Sequence, residues 1–392
     1  DHDHDHEHDH DHDHDHDHDE HEHGHGHHHH HHHEEGEAEE YGIKIIVDVV
    51  ANHMANHMAG NTLSTVIPAY IREDATAWHD YTKDTSDKHY NDGDRYGITQ
   101  FCMGGVPDLN TGSDKVQGYV LDYLKECIDA GADGFRFDGA KHIETPDDDP
   151  SFASDFWPTV IGGADAYAKS LGRNVYFYGE VLDSPGQLPL VAYTKYMSVT
   201  DNSWGRGLLN EINGGSVASI ANGYNKGADA SQLVVWAECH DDFATTASYN
   251  TSKISVTSIN KAWALIAARA DVMPLYFGRP SDFMSTLMGE ASITGWAQPE
   301  VKAVNLFHNA FVGQDELTGV SGAIGYVVRG NSGIVLVNAG GTTASVNISG
   351  TGMADGTYTD QITGNTFTVS GGKITGSIGS TGIAVVYNVS TE

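Results

Sequence analysis

Positive charge is what this sequence most lacks: 21 Lys and Arg stand against 55 Asp and Glu in 392 residues, a formal net charge of −34. That balance disfavours nucleic acid and anionic membranes as partners, because both are polyanions that attract basic surfaces. Cysteine is scarce as well. Cys102, Cys127 and Cys239 form an odd, widely spaced set, which suggests neither a disulfide framework nor a zinc site. Cys127 falls on an apolar helical stripe and reads as a small core residue. No apolar run is long enough to span a bilayer. No signal peptide is legible, and the first residue is Asp1 rather than Met, so the sequence reads as processed or as a fragment.

Apolar residues are almost missing from the first forty positions. Asp1 to Glu40 consists nearly entirely of Asp, Glu, His and Gly. Such a tract has little to bury and cannot offset the entropy lost on ordering, so it reads as a solvated low-complexity tail. Its alternating Asp-His pairs and the run His27–His33 would take up Zn²⁺, Ni²⁺ or Cu²⁺ adventitiously through imidazoles.

From Tyr41 onward the text is that of a folded protein. Ile43–Val50 (IKIIVDVV) is a nearly continuous β-branched run, the mark of a strand in a parallel sheet. Residues 55–112 are rich in Asp, Asn, Gly, Thr and Tyr without a sustained period, and read as an irregular insertion. Val116, Tyr119, Val120, Tyr123, Leu124 and Cys127 then recur at helical spacing, and Gly131 stops the helix. Strands and helices alternate from there. Strands are predicted at Gly134–Asp138, Val175–Val181, Tyr196–Thr200, Leu233–Glu238 and Met273–Phe277. Helices are predicted at Phe152–Leu171, Leu208–Ala221, Ser258–Ala270 and Pro299–Phe311. Repeated strand–helix units imply a parallel sheet, and polar residues gathered at the strands' C-terminal ends favour a (β/α)8-type barrel. After about Gly319 the pattern changes to short strands (GYVVRG, GIVLVNA, ASVNIS, TYTDQI, TFTVS, KITGSI, GIAVVYN) separated by Gly, Asn, Thr and Ser, which predicts a compact antiparallel β-sandwich. The chain thus divides into a tail at 1–40, a barrel at 41–54 and 113–315, the insertion at 55–112 and the C-terminal β-domain at 316–392.

Four stretches stand at ends of predicted barrel strands: DVVANH (Asp48–His53), GFRFDGAKH (Gly134–His142), YGEVLD (Tyr178–Asp183) and WAECHDD (Trp236–Asp242). Together they supply the carboxylates Asp138, Glu180 and Asp241, the cation Arg136 and the imidazoles His53 and His240. Cleavage of a glycosidic bond needs such a set: one carboxylate to attack the anomeric carbon, a second held protonated to donate to the leaving oxygen, and further negative charge for an oxocarbenium-like transition state. Arg136, two residues before Asp138 on one strand, points to the same side of the sheet.

These four stretches, in this order, resemble the signature regions of the α-amylase family of glycoside hydrolases, most nearly its bacterial saccharifying type. Supporting similarity lies in Gly131–Asp148, Pro274–Pro280 and Glu300–Gln314, and the likeness runs from Tyr41 to the C-terminus. The resemblance implies that Asp138 is the nucleophile, Glu180 the general acid/base and Asp241 the transition-state stabiliser. Arg136 would orient Asp138, and His53 and His240 would bind sugar at the cleavage subsite. Lys141 and His142 would contact the glucose beyond the scissile bond, a pair typical of endo-acting α-1,4 enzymes. A structural Ca²⁺ is implied at Asn52 and Asp108 (side chains) and at Thr99 and His142 (carbonyls), an all-oxygen set that suits a hard cation. The expected protein is a secreted hydrolase of starch-like α-glucans. A glucan-transferring or maltogenic relative, or an inactive glucan- or metal-binding remnant, remains as the alternative.

The sequence departs from the family in three places. Members carry two strand–helix units ahead of DVV-x-NH, where this chain has its acidic tail. The barrel is therefore expected to be N-terminally truncated, with Ile43–Val50 at an exposed edge. The repeat ANHMANHM offers a second pair, Asn56 and His57, although register from Asp48 favours Asn52 and His53. Cys239 stands where serine is common.

Overall fold

The computed structural model describes residues 37–55, 62–79, 89, 92–221, 223–224, 227–282 and 290–391. The His27–His33 run and the Asn56–His57 pair lie outside the described residues.

Six strands form one parallel sheet in sequential order: β1 (Ile46–Val49), β2 (Gly134–Phe137), β3 (Tyr176–Gly179), β4 (Ser198–Asp201), β5 (Leu233–Val235) and β6 (Met273–Pro274). Helices follow the strands or precede them on the outside: α1 (Asp114–Ala130), α2 (Phe156–Ser170), α3 (Ser203–Asn213), α4 (Val256–Ala268) and α5 (Pro299–Ala310). This is the wall of a β/α barrel, in which each crossover brings the next strand back parallel. Helix α1 buries Val116, Leu124 and Ile128 along one stripe and ends at Gly131, whose φ of 113° closes the last turn. Within the barrel Phe137, Phe156 and Trp157 pack edge to face with no exposed surface.

Strand β1, within the Ile43–Val50 run expected at an exposed edge, stands at one end of the sheet among the described residues. Among the described residues it pairs only with β2, and of its four residues only Val49 is buried, while Ile46 is open to solvent. A β-branched run reports propensity for a strand, whereas burial depends on what covers each face.

The C-terminal region is a sandwich of two four-stranded antiparallel sheets. One has the order β14 (Ile383–Tyr387), β9 (Gly333–Asn338), β8 (Ile324–Arg329), β7 (Glu316–Ser321); the other runs β10 (Ala344–Ile348), β13 (Lys373–Ile378), β12 (Thr366–Ser370), β11 (Gly356–Thr359). Strand β7 was not foreseen as a full element. Its sequence, ELTGVS, has no alternation of burial, and it forms because it pairs along its length with β8. Helix α4 is buried on every side from Ile259 to Ala268, because the barrel covers one face and the sandwich strands β8 and β9 cover the other. Val335, Val337 and Val385 accordingly belong to the same apolar cluster as the barrel core.

Candidate active site

Strand register assembles the centre. Asp48 on β1 lies opposite Arg136 on β2, which lies opposite Tyr178 on β3. Asp138 follows the end of β2 and Glu180 follows the end of β3, so both carboxylates emerge on the same rim. The Arg136 Nη1 donates to Asp48 Oδ1 at 2.7 Å and to Asp138 Oδ1 at 3.3 Å, while Nη2 donates to Glu180 Oε2 at 2.8 Å. One guanidinium thus joins three strands through three acids. Burial works against its charge, but Glu180, Asp48 and Asp138 outweigh that and keep it firmly protonated. Sequence reasoning gave Arg136 to Asp138 alone. Its shorter bonds go to Asp48 and Glu180, and Asp48 is a site residue that the sequence analysis used only for register.

Burial pushes the Glu180 carboxyl above the ordinary range. Arg136 opposes this, and the charges of Asp138 and Asp241 add to it. The Gly139 N–H donates to Glu180 Oε1 at 3.2 Å, and Gly139 can offer it because its φ of 53° turns the chain sharply after Asp138. Burial lowers His53 against the pull of Asp138, and burial lowers Lys141 against the pull of Glu180. Lys141 Nζ donates to Ser184 Oγ.

A cavity of about 480 Å³ opens on this rim, lined among others by His53, Asp138, Lys141, His142, Glu180 and Asp241. The structure therefore brings together most of the residues singled out from sequence. His240 is not in the lining. It is half exposed, with Nε2 3.4 Å from Asp241 Oδ1. Asp183, Ser184, Asn202 and Arg206 also line the cavity. Asp183 was visible as the end of the YGEVLD stretch. Asn202 and Arg206 left no local signal, since they reach the rim only because β4 ends beside β5 and α3 starts there.

The four positions proposed for calcium are all buried: Asn52, Thr99, Asp108 and His142. Asn52 and Asp108 lie side by side, with the Leu109 N–H donating to the Asn52 carbonyl at 3.0 Å. His142 Nδ1 donates to the Ile98 carbonyl, next to Thr99, at 3.1 Å. Burial and the nearby Glu144 push Asp108 well above its ordinary range. The base that touches Asp108 is His79, with Nδ1 2.5 Å from Oδ2, and burial pushes His79 toward neutrality. Two buried acids served by a weak base suit a hard cation held by oxygens. Among the described residues no three His, Cys, Asp or Glu side chains converge as a metal cluster. The positions named here, which include two backbone carbonyls, are a different kind of donor set.

Comparison with known proteins agrees with this geometry. Residues 5–184 match the model of the alpha-amylase catalytic domain. An alpha-amylase of Clostridium acetobutylicum is 37% identical over 361 residues, covering 90% of this chain and 44% of the relative. Over most of its length the chain is similar to this alpha-amylase. A Butyrivibrio fibrisolvens alpha-amylase is 33% identical over 388 residues, covering 89% of this chain and 39% of that protein. The chain spans less than half the length of these two curated relatives. Among solved structures, alpha-amylase I of Eisenia fetida superposes with a TM-score of 0.67 at 19% identity, covering 89% of this chain and 82% of that one. The Geobacillus thermoleovorans alpha-amylase gives 0.68 at 16% identity, covering 92% and 81%. At that identity these two structures support the fold, here an alpha-amylase barrel with its antiparallel C-terminal domain.

Proposed function

We propose that this chain hydrolyses internal α-1,4-glucosidic bonds of starch-like glucans with retention of anomeric configuration. The observation that carries the reading is the shared guanidinium of Arg136, which holds Asp138 and Glu180 on adjacent strand ends while burial keeps Glu180 prone to protonation. Retention needs two carboxyls close together, one attacking and one donating. Asp138 attacks the anomeric carbon, and protonated Glu180 gives its proton to the glycosidic oxygen as that bond breaks. A glycosyl ester on Asp138 results. Ionised Glu180 then takes a proton from water, whose oxygen attacks the same carbon and releases Asp138. Asp241 adds negative charge opposite the developing oxocarbenium, and His53, Lys141 and His142, which line the cavity, hydrogen-bond sugar hydroxyls. One solved neighbour, a mutant of the Eisenia fetida enzyme, is described as a complex with maltohexaose, and another, from Geobacillus thermoleovorans, as a complex with acarbose; a linear α-glucan is the substrate class assigned here. A polymeric glucan does not cross a bilayer, so the reading also places the work outside the cell. Calcium, held by Asn52, Thr99, Asp108 and His142, would supply structural charge compensation, and bond cleavage does not pass through it.

The test is hydrolysis of soluble starch by Asp138→Asn and Glu180→Gln. Each is expected to lose roughly a thousandfold or more in kcat with the fold intact by circular dichroism. The first product should appear as the α-anomer by NMR. A β-anomer product, or near-normal turnover by Glu180→Gln, would overturn the reading.

A further inference from the structure

Asp241 is the least anchored of the three carboxylates. Its side chain is 66% exposed, and its own contact is the 3.4 Å approach of His240. What fixes it must act on the chain to either side. Upstream, Arg279 forks onto buried Glu238 at 2.6 and 2.9 Å and gathers the carbonyls of Thr251 and Ile254. Downstream, Arg206 Nη2 donates to Asp242 Oδ1 at 2.7 Å. The Asp242 carbonyl accepts from Thr251 N–H at 2.9 Å, and the Arg206 guanidinium lies 4.3 Å over the Tyr249 ring. Arg206 comes from α3, which sits unusually close to this segment. A Cβ on Gly205 would stand 1.8 Å from the Trp236 carbonyl oxygen, so only glycine permits that approach.

The Arg206–Asp242 pair is a poor device for stability alone. Asp242 is buried, and Arg206 Nε and Asp242 Oδ2 find no partner among the described residues. An ion pair whose arginine is 36% exposed, with an unmet atom on each side, adds little to stability. Arg206 also lines the active-site cavity, as Asp241 does.

We propose that Arg206 is a positioning residue: through Asp242, and steadied by Tyr249, it latches the segment 238–242 so that Asp241 faces the reacting sugar. The proposal rests on the hydrolase reading above. Loss of the latch leaves ground-state binding by His53, Lys141 and His142 in place. It weakens an interaction made mainly in the transition state, so kcat and kcat/KM should fall together with KM nearly constant.

The experiment compares the wild-type chain with Arg206→Met, Arg206→Lys, Asp242→Asn and the double variant Arg206→Met/Asp242→Asn, using maltoheptaose hydrolysis and thermal unfolding. Arg206→Met is expected to lower kcat about tenfold or more with KM within about twofold. Arg206→Lys, which keeps the charge but not the planar stack, should recover part of that loss. The double variant leaves no unpaired charge at the buried Asp242 position, so its Tm should return toward wild type while kcat stays low. Recovery of kcat along with Tm in the double variant, or an unchanged kcat in Arg206→Met with an active wild type, would overturn the latch and leave the hydrolase reading standing. A wild-type chain that cleaves no α-glucan would overturn both.

Discussion

At the scale of single residues, burial decides which groups titrate at unusual pH. His142 shows the effect most clearly. Burial, then the charge of Lys141, hold its imidazole down at about 4 against an ordinary 6.5. A depressed histidine stabilises the fold above its unfolded pKa, and that contribution is lost as pH falls through the folded value, because the unfolded chain takes the proton first. Stability should therefore drop between about pH 6.5 and pH 4, by about 3 kcal/mol at most from this group. His142→Gln keeps the backbone carbonyl and should flatten that part of the stability–pH curve, measured by urea unfolding at several pH values. An unchanged slope would mean that His142 is not held neutral. Glu180 works in the opposite sense. Its raised pKa favours the folded state at low pH, and the benefit fades as pH rises through the folded value.

Among elements, the joint between barrel and sandwich rests on a buried arginine. Arg329, at the end of β8, donates from Nη1 to the Ala268 carbonyl at 3.1 Å and from Nη2 to those of Phe311 and Gln314 at 2.6 and 3.1 Å. The Ala268 and Phe311 carbonyls lie at the C-terminal ends of α4 and α5, where helices leave acceptors without intrahelical partners, and Gln314 lies in the turn after α5. One side chain from the sandwich thus caps two barrel helices. Arg329→Met would fill the space but leave the buried Ala268 carbonyl without this donor and the Phe311 carbonyl with only the Gln314 N–H, at about 1–3 kcal/mol. Calorimetry should then show the single unfolding transition broaden or split, as the sandwich loses its grip on α4. A sharp single transition at the wild-type temperature would rule out this joint. The helices themselves were readable from period and punctuation: α1 ends at Gly131 as expected, and α5 begins at Pro299. The predicted helix at Leu208–Ala221 instead begins at Ser203 and ends at Asn213. Ser203–Arg206 carry a polar text that helix formation overrides, because Trp204 and Gly205 are drawn against the barrel.

For the whole molecule, the segment read as an insertion brings buried Asp108 close to buried Glu144, and calcium is the group proposed to hold that junction. Ligand that binds only the folded state raises stability by about 2.7 kcal/mol at a hundredfold excess over Kd. Chelation is expected to lower the Tm of a chain lacking residues 1–36 and calcium to restore it, with the rate constant of the remaining folded enzyme unaltered. The tail is removed for this measurement so that any metal uptake by its imidazoles cannot enter the result. An unchanged Tm on chelation would remove the calcium site.

The sequence by itself determined the alternation of strand and helix, the antiparallel C-terminal domain, and the order of the four strand-end stretches that carry Asp138, Glu180 and Asp241. Those features are local: periodicity, glycine and proline punctuation, and short runs of chemistry. Only the tertiary structure decided that Arg136 joins Asp48 and Glu180 as well as Asp138, that His240 stays outside the cavity lining, and that Arg206 and Asp242 meet. These facts depend on strand register, on the close approach that Gly205 allows and on the cover each face receives. Contacts between residues 36 to 88 positions apart leave no period in the chain for a reader to find.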